Sequence, residues 1–199
     1  YAWFGGYPGA VDLISEEERW KSYIRDALVD TTISRDIFQM SRINKPALLK
    51  RLFELAAYYS GQMISYNKLL GQLQDAGNTV TIAHYLELLD QAGLIRGLEK
   101  YSVQQVRKRA SSPQLHTYNT PITSCYSNET FHSARKNPES LGRIVESVIG
   151  AHLVNWSFEY PFKVFYWRDS NLEVDFVLEK GKELIALEVK SGRKKYPGV

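Results

Sequence analysis

Four charged side chains near the end of the chain have the types and spacing to hold a divalent cation. They are Glu173 and Asp175 in Glu173-Val174-Asp175-Phe176-Val177, and Glu188 and Lys190 in Leu187-Glu188-Val189-Lys190. Both runs alternate polar and apolar residues, the period of a strand with one buried face. Between them lies Glu179-Lys180-Gly181-Lys182. A two-residue turn at Gly181-Lys182, with glycine first, is of the II′ type. That register pairs Lys180 with Glu183, sets Asp175 opposite Glu188 and Glu173 opposite Lys190, and turns all four charges to one face. A bulge would break it. Taken alone, the hairpin is explained as well by a wet sheet face with cross-strand ion pairs worth tenths of a kcal/mol. Glu146 adds what an exposed hairpin does not need. It is a further carboxylate on a helix, beside the apolar residues Ile144, Val145, Val148, Ile149 and Leu153. Carboxylates in a sparse set of this kind suit Mg²⁺, with Asp175 and Glu188 as its ligands and Glu146 as a third carboxylate or a base.

The elements that must position these residues read as follows. Pro138-Glu139-Ser140 opens the helix of Glu146, from Leu141 to about Trp156, and strands near 163–167, 172–178 and 184–190 form an antiparallel meander behind it. Upstream, Ser15-Glu16-Glu17-Glu18 has the capping-box pattern and starts a helix to about Asp30, burying Trp20, Tyr23, Ile24 and Leu28. Arg35-Asp36-Ile37 lies in a short link or a second helix. Pro46 opens a helix with the stripe Leu48, Leu49, Leu52, Leu55, Ala56 and Tyr59, and Gly61 stops it. Ser65 caps a short helix, a turn spans Asp75 to Asn78, and Thr79–Gln91 is a helix ended by Gly93. Strand patterns follow at 94–98 and 115–118. Helix, helix, turn, helix and β-ribbon in this order is the plan of a winged helix-turn-helix. Residues 120–137 read as a polar connector.

A second group of residues points to nucleic acid. Residues 96–136 carry seven Lys or Arg against two Asp or Glu, with Arg107-Lys108-Arg109 at the centre. In a groove-reading helix, Thr79, Thr81 and His84 would face the bases. Residues 65–92, however, hold Lys68 against Asp75, Glu87 and Asp90, an acidic balance for such a reader. Protein contacts account for the same unit as well as DNA does.

Bulk composition excludes several classes. Of 199 residues, 44% are hydrophobic and 24% charged, with a net charge of +3, as in a globular protein with a real core. No apolar run reaches membrane-span length. A single cysteine, Cys125, rules out an internal disulfide framework and a Cys-rich zinc site, and a cytoplasmic location is expected. The chain starts at Tyr1 and stops at Val199, just past a predicted strand, and reads as a piece of a longer protein.

The set Gly142-x-x-x-Glu146, Tyr166-Trp167-Arg168, Glu173-x-Asp175 and Glu188-x-Lys190, in that order, resembles the PD-(D/E)xK nuclease superfamily. Phe4-Gly5-Gly6-Tyr7-Pro8, with Tyr85-Leu86-x-Leu88-Leu89 and Gly93-Leu94-Ile95, resembles the C-terminal region of prokaryotic AAA-type ATPases. The resemblance covers nearly the whole chain. It implies an α+β chain, with a helical winged-helix region over residues 1–120 followed by a restriction-endonuclease-like α/β domain over 121–199, truncated at its C-terminus. It implies catalytic roles for Glu146, Asp175, Glu188 and Lys190 in Mg²⁺-dependent phosphodiester hydrolysis directed at DNA. The rival expectation is a non-catalytic protein-interaction or regulatory module coupled to the ATPase. No G-x-x-x-x-G-K-[ST] occurs, so no ATP-binding residue is expected in this segment. ATP would belong to an N-terminal module of the same chain, which is also an expected partner.

Overall fold

The fold was obtained as a computed structural model that describes residues 1–102 and 111–192. It is α+β, with two three-stranded antiparallel sheets. Arg107, Lys108 and Arg109 lie outside the described residues. Among those described, no helix is long and apolar enough to cross a membrane.

The N-terminal half is helical. A 3-10 turn, Pro8–Leu13, leads into α1 (Glu17–Ser22). Helical backbone then continues through π-helical stretches at Tyr23–Val29 and Thr32–Ile37 to α2 (Phe38–Met40). The helical backbone therefore runs past the expected end near Asp30, and Arg35-Asp36-Ile37 is helical, as the second of its two readings had it, and not a link. The cause can be read from the buried positions Trp20, Ile24, Val29, Ile33 and Ile37. They recur every four or five residues, wider than the 3.6-residue turn of an α-helix, and wider π turns keep them on one face. The expected capping box at Ser15 is not used either. The cap position is Glu16, without a side-chain bond.

The next helices fall where the sequence reading sets them. Helix α3 spans Pro46–Tyr58, and the chain turns at Gly61 with φ +79°. Ser65 accepts from the Lys68 amide to cap α4 (Tyr66–Gln72), and Asn78 accepts from the Thr81 amide to cap α5 (Thr79–Gln91). Leu49, Leu52, Phe53, Leu69, Ile82 and Leu89 form the centre of the first core. Strands β1 (Gln62–Met63), β2 (Ile95–Leu98) and β3 (Gln114–Thr117) form the first sheet in the order β1-β3-β2.

Strand β3 is central and buried along its whole length. Leu115 enters the first core. His116, on the opposite face, packs on Phe176 with ring centroids 5.4 Å apart. Residues 120–137, expected as a polar connector, instead hold α6 (Pro121–Ser124) and α7 (Phe131–Lys136). Their buried Ile122, Cys125 and Ala134 supply apolar anchors too sparse to show as a period. The buried Lys21 ammonium donates to the Ser127 and Glu129 carbonyls, tying this stretch to α1.

Helix α8 (Pro138–Glu159) crosses β3 and carries Glu146. Its buried seam is Ser147, Gly150, Ala151 and Val154 with Leu153, while Ile144, Val145, Val148 and Ile149 are half-buried. Small residues were missed as the seam because their packing is a matter of approach and not of hydrophobic size. A Cβ at Gly150 would lie 2.5 Å from His116 Nδ1 and 3.0 Å from Phe176 Cζ. The second sheet follows as β4 (Lys163–Asp169), β5 (Leu172–Lys180) and β6 (Glu183–Leu187), in sequence order. It joins the first through backbone bonds from the Tyr101 amide to the Tyr166 carbonyl at 2.7 Å and from the Tyr166 amide to the Glu99 carbonyl at 3.2 Å. A second core, with Leu98, Leu153, Val154, Tyr166 and Phe176, draws on both sheets and α8.

Two outcomes are expected. Gly150→Ala should destabilise the chain by about 1–3 kcal/mol in a denaturant titration, because neither neighbour can retreat within a packed core. The second concerns His116. Its two ring nitrogens have no hydrogen-bond partner among the described residues, and burial holds its imidazole down at about 4. The unfolded chain binds this proton first as pH falls. The His116 contribution is thus complete above about pH 6.5 and lost on acidification toward pH 4, by about 3 kcal/mol in all. The difference in stability between wild type and His116→Phe should shift by that amount across this window.

Candidate functional site

The predicted hairpin register is present. Lys180 pairs with Glu183, and the ladder runs to Phe176 with Leu187. Gly181 takes φ +62°, as the predicted turn requires. The ladder stops one pair short of Asp175 and Glu188. On the other side of β5 there is a bulge. Phe165 pairs with Val177 and Trp167 with Val174, so Asp175 and Phe176 together face Tyr166. A bulge bends its strand and re-aims the side chains beside it. Phe176 becomes fully buried, and Asp175 turns into a cleft.

This cleft, of roughly 340 Å³, is walled by both sheets and by α8. Glu146 comes from α8, Glu173 and Asp175 from β5, Arg168 from β4, Gln114 from the first sheet and Gly61 from the turn that leads into it. Asp175 Oδ2 accepts from the Val189 amide at 2.6 Å, which fixes the carboxylate. Glu173 lies 3.8 Å from Arg168 across the β4–β5 ladder. Burial, and then the negative charges of Asp175 and Glu173, push the Glu146 carboxyl up to about 7. Two neighbouring carboxylates thus oppose ionisation of a third, and a cation would relieve them all.

Of the four residues expected to act together, Glu146 and Asp175 share the cleft. Glu188 does not join them. It is exposed and bonded to the Lys190 ammonium. Lys190 is held above its usual range by that bond first, and then by the charges of Asp175 and Glu173. Among the described residues, no three His, Cys, Asp or Glu side chains stand at metal-holding distance. Sequence reading missed Gln114, which is 7% exposed and donates from Nε2 to the Gly61 carbonyl at 3.3 Å and to Glu146 Oε1 at 3.4 Å. Its only local signal was a polar residue inside an apolar strand pattern. Gln114 Oε1 is buried, with no hydrogen-bond partner among the described residues. Carboxylate oxygens with an orphaned amide carbonyl form an all-oxygen donor set, the kind that fits Mg²⁺ or Mn²⁺.

Of the residues expected at a nucleic-acid surface, His84 is exposed on α5, while Thr79 and Thr81 are half-buried at its start. The Thr81 hydroxyl donates to Asn78 Oδ1 at 3.1 Å and so belongs to the cap.

The electrostatic account of Glu146 is open to direct titration. Carboxyl ¹³C NMR should place Glu146 near 7 in the metal-free chain. Asp175→Asn removes one neighbouring charge and should bring it down, though not to the ordinary carboxylate range, since burial is the larger cause. An unmoved titration in that variant would contradict the shared cleft.

Two family models match separate stretches of the chain. Residues 141–197, including the helix of Glu146 and the second sheet, match the family described as domain of unknown function DUF4143. An uncharacterized protein of Mycobacterium tuberculosis is 24% identical over 187 residues, which is 94% of this chain and 41% of the relative. An uncharacterized protein of Methanocaldococcus jannaschii is 27% identical over 186 residues, 92% of this chain and 39% of that relative. The chain thus spans about two fifths of the length of these relatives. No solved structure gives a significant match. Residues 1–133, more than half of the chain, match the model of one family, and the chain belongs to that family, described as domain of unknown function DUF8612.

Proposed function

We propose that this chain is the nuclease-like C-terminal arm of an AAA-type ATP-binding protein, with a metal-dependent site directed at DNA phosphodiesters. The observation that carries the reading is the cleft in which α8 and β5 bring Glu146, Glu173 and Asp175 together beside two cations, Arg168 and Lys190. Asp175 and Glu146 would hold Mg²⁺. When bound, the ion polarises a phosphoryl oxygen and acidifies water. With the ion bound Glu146 is ionised, and its carboxylate oxygen turned away from the ion would accept a proton from the attacking water. Lys190 lies against negative charge developing on phosphorus, and Arg168 holds a flanking phosphate. The plan of α4, α5 and the β2–β3 ribbon supports a winged helix upstream, with Arg107, Lys108 and Arg109 as its phosphate contacts. ATP would be bound only by a module N-terminal to these residues.

A second reading has its own support. On α5, Val80 is 73% exposed and the Thr81 hydroxyl is engaged in the cap. Lys68 lies over the Tyr59 ring at 5.3 Å. Such a surface suits a protein contact better than a DNA groove, and makes the helical part a coupling element between the ATPase and a partner.

Nicking of supercoiled plasmid, or cleavage of single-stranded DNA, in Mg²⁺ or Mn²⁺ tests the first reading. Glu146→Gln and Asp175→Asn should each reduce the rate by about 100-fold or more, with the melting temperature kept within a few degrees. DNA affinity should fall with salt, and less steeply when Arg107, Lys108 and Arg109 are replaced by Ala. A chain that neither cleaves DNA nor binds it in a salt-dependent way would falsify this reading and leave the protein-contact module.

A further inference from the structure

We propose that Gln114 supplies its side-chain carbonyl oxygen to the divalent cation held by Glu146 and Asp175, an inference that rests on the metal reading above. Gln114 is the residue by which the first sheet enters the cleft. It sits on β3, sixty-one residues before Asp175, and is nine-tenths buried. Its amide has one chemically sensible orientation. Both groups beside Nε2, the Gly61 carbonyl and Glu146 Oε1, are acceptors, so the nitrogen must face them. That leaves Oε1 buried in the wall of an acidic cleft with no partner among the described residues. A buried amide oxygen without a partner is costly, and a strand has no need to place one there. A hard divalent cation satisfies it, since amide carbonyls rank with carboxylates as ligands for such ions.

The arrangement has a structural consequence. Glu146 is on α8, Asp175 on β5 and Gln114 on β3, so one ion draws oxygens from both sheets and from the helix between them. The cation then locks the first sheet to the second. A neutral third oxygen also limits charge: two carboxylates nearly neutralise the ion, and a third anion in the same shell would weaken its pull on a substrate phosphate.

The alternative is a strut, in which Gln114 acts solely through its Nε2 bonds to Gly61 and Glu146. Two substitutions separate the cases. Gln114→Met keeps the shape and removes both oxygen and nitrogen. Gln114→Glu keeps an oxygen and removes the donor. Mn²⁺ affinity of the 199-residue chain, measured by electron paramagnetic resonance, should fall about tenfold in Gln114→Met and be kept or tightened in Gln114→Glu. The rise in melting temperature with Mn²⁺ should follow the same order. Asp175→Asn is the control and should lose binding. If wild type binds Mn²⁺, Asp175→Asn does not, and Gln114→Met binds as wild type, the metal reading stands and the role of Gln114 is overturned. Equal losses in the Met and Glu variants would show the strut and overturn it as well. No Mn²⁺ binding by wild type would remove the metal reading, and this inference with it.

Discussion

Burial of β3 on both faces is the constraint on which the rest of the structure depends. Leu115 fills the first core on one side, a burial worth about 1.5–3 kcal/mol. On the other side His116 meets α8 at Gly150 and the second sheet at Phe176. The helix can come this close only because its seam is made of Ser147, Gly150 and Ala151. Close approach of α8 brings Glu146 within 3.4 Å of Gln114, one residue before Leu115. The same strand therefore closes two cores and forms one wall of the acidic cleft. A shift of β3 by one residue would exchange its faces, placing Leu115 against the helix and Gln114 in the apolar core.

The cleft gathers charge that its surroundings do not neutralise. Among the described residues, Asp175 is fixed by the Val189 amide, Glu173 has Arg168 at 3.8 Å, and Glu146 has only a weak amide contact. Its carboxyl is accordingly the group whose ionisation is deferred. Such a site favours whatever brings positive charge into it: a proton, a lysine from the 188–190 segment, or the proposed divalent ion. The ion, like an ammonium, would also answer the Gln114 oxygen that has no partner among the described residues.

Much of this was legible in the sequence. Ser65 caps its helix, Gly181 forms its turn, and the hairpin register follows from that turn, because each of these signals acts within a few residues. Glu146 and Asp175 could be picked as partners from their types and order. What escaped was set by tertiary contact. The bulge at Asp175 and Phe176 depends on pairing with Tyr166, and it replaced the expected shared face of four charges with a cleft that holds Glu173 and excludes Glu188. The small-residue seam of α8 carries little hydrophobic signal. The helices at Pro121–Ser124 and Phe131–Lys136 are too short for a period to show. Gln114 gains meaning only once the two sheets are side by side.

The measurement that bears most directly on the central claim is anomalous diffraction from crystals of the chain soaked in Mn²⁺. The account predicts one strong peak in the cleft within ligand distance of Glu146, Asp175 and Gln114 Oε1, and none in crystals of Asp175→Asn. A featureless cleft at saturating Mn²⁺, with Glu146 and Asp175 turned apart, would contradict it.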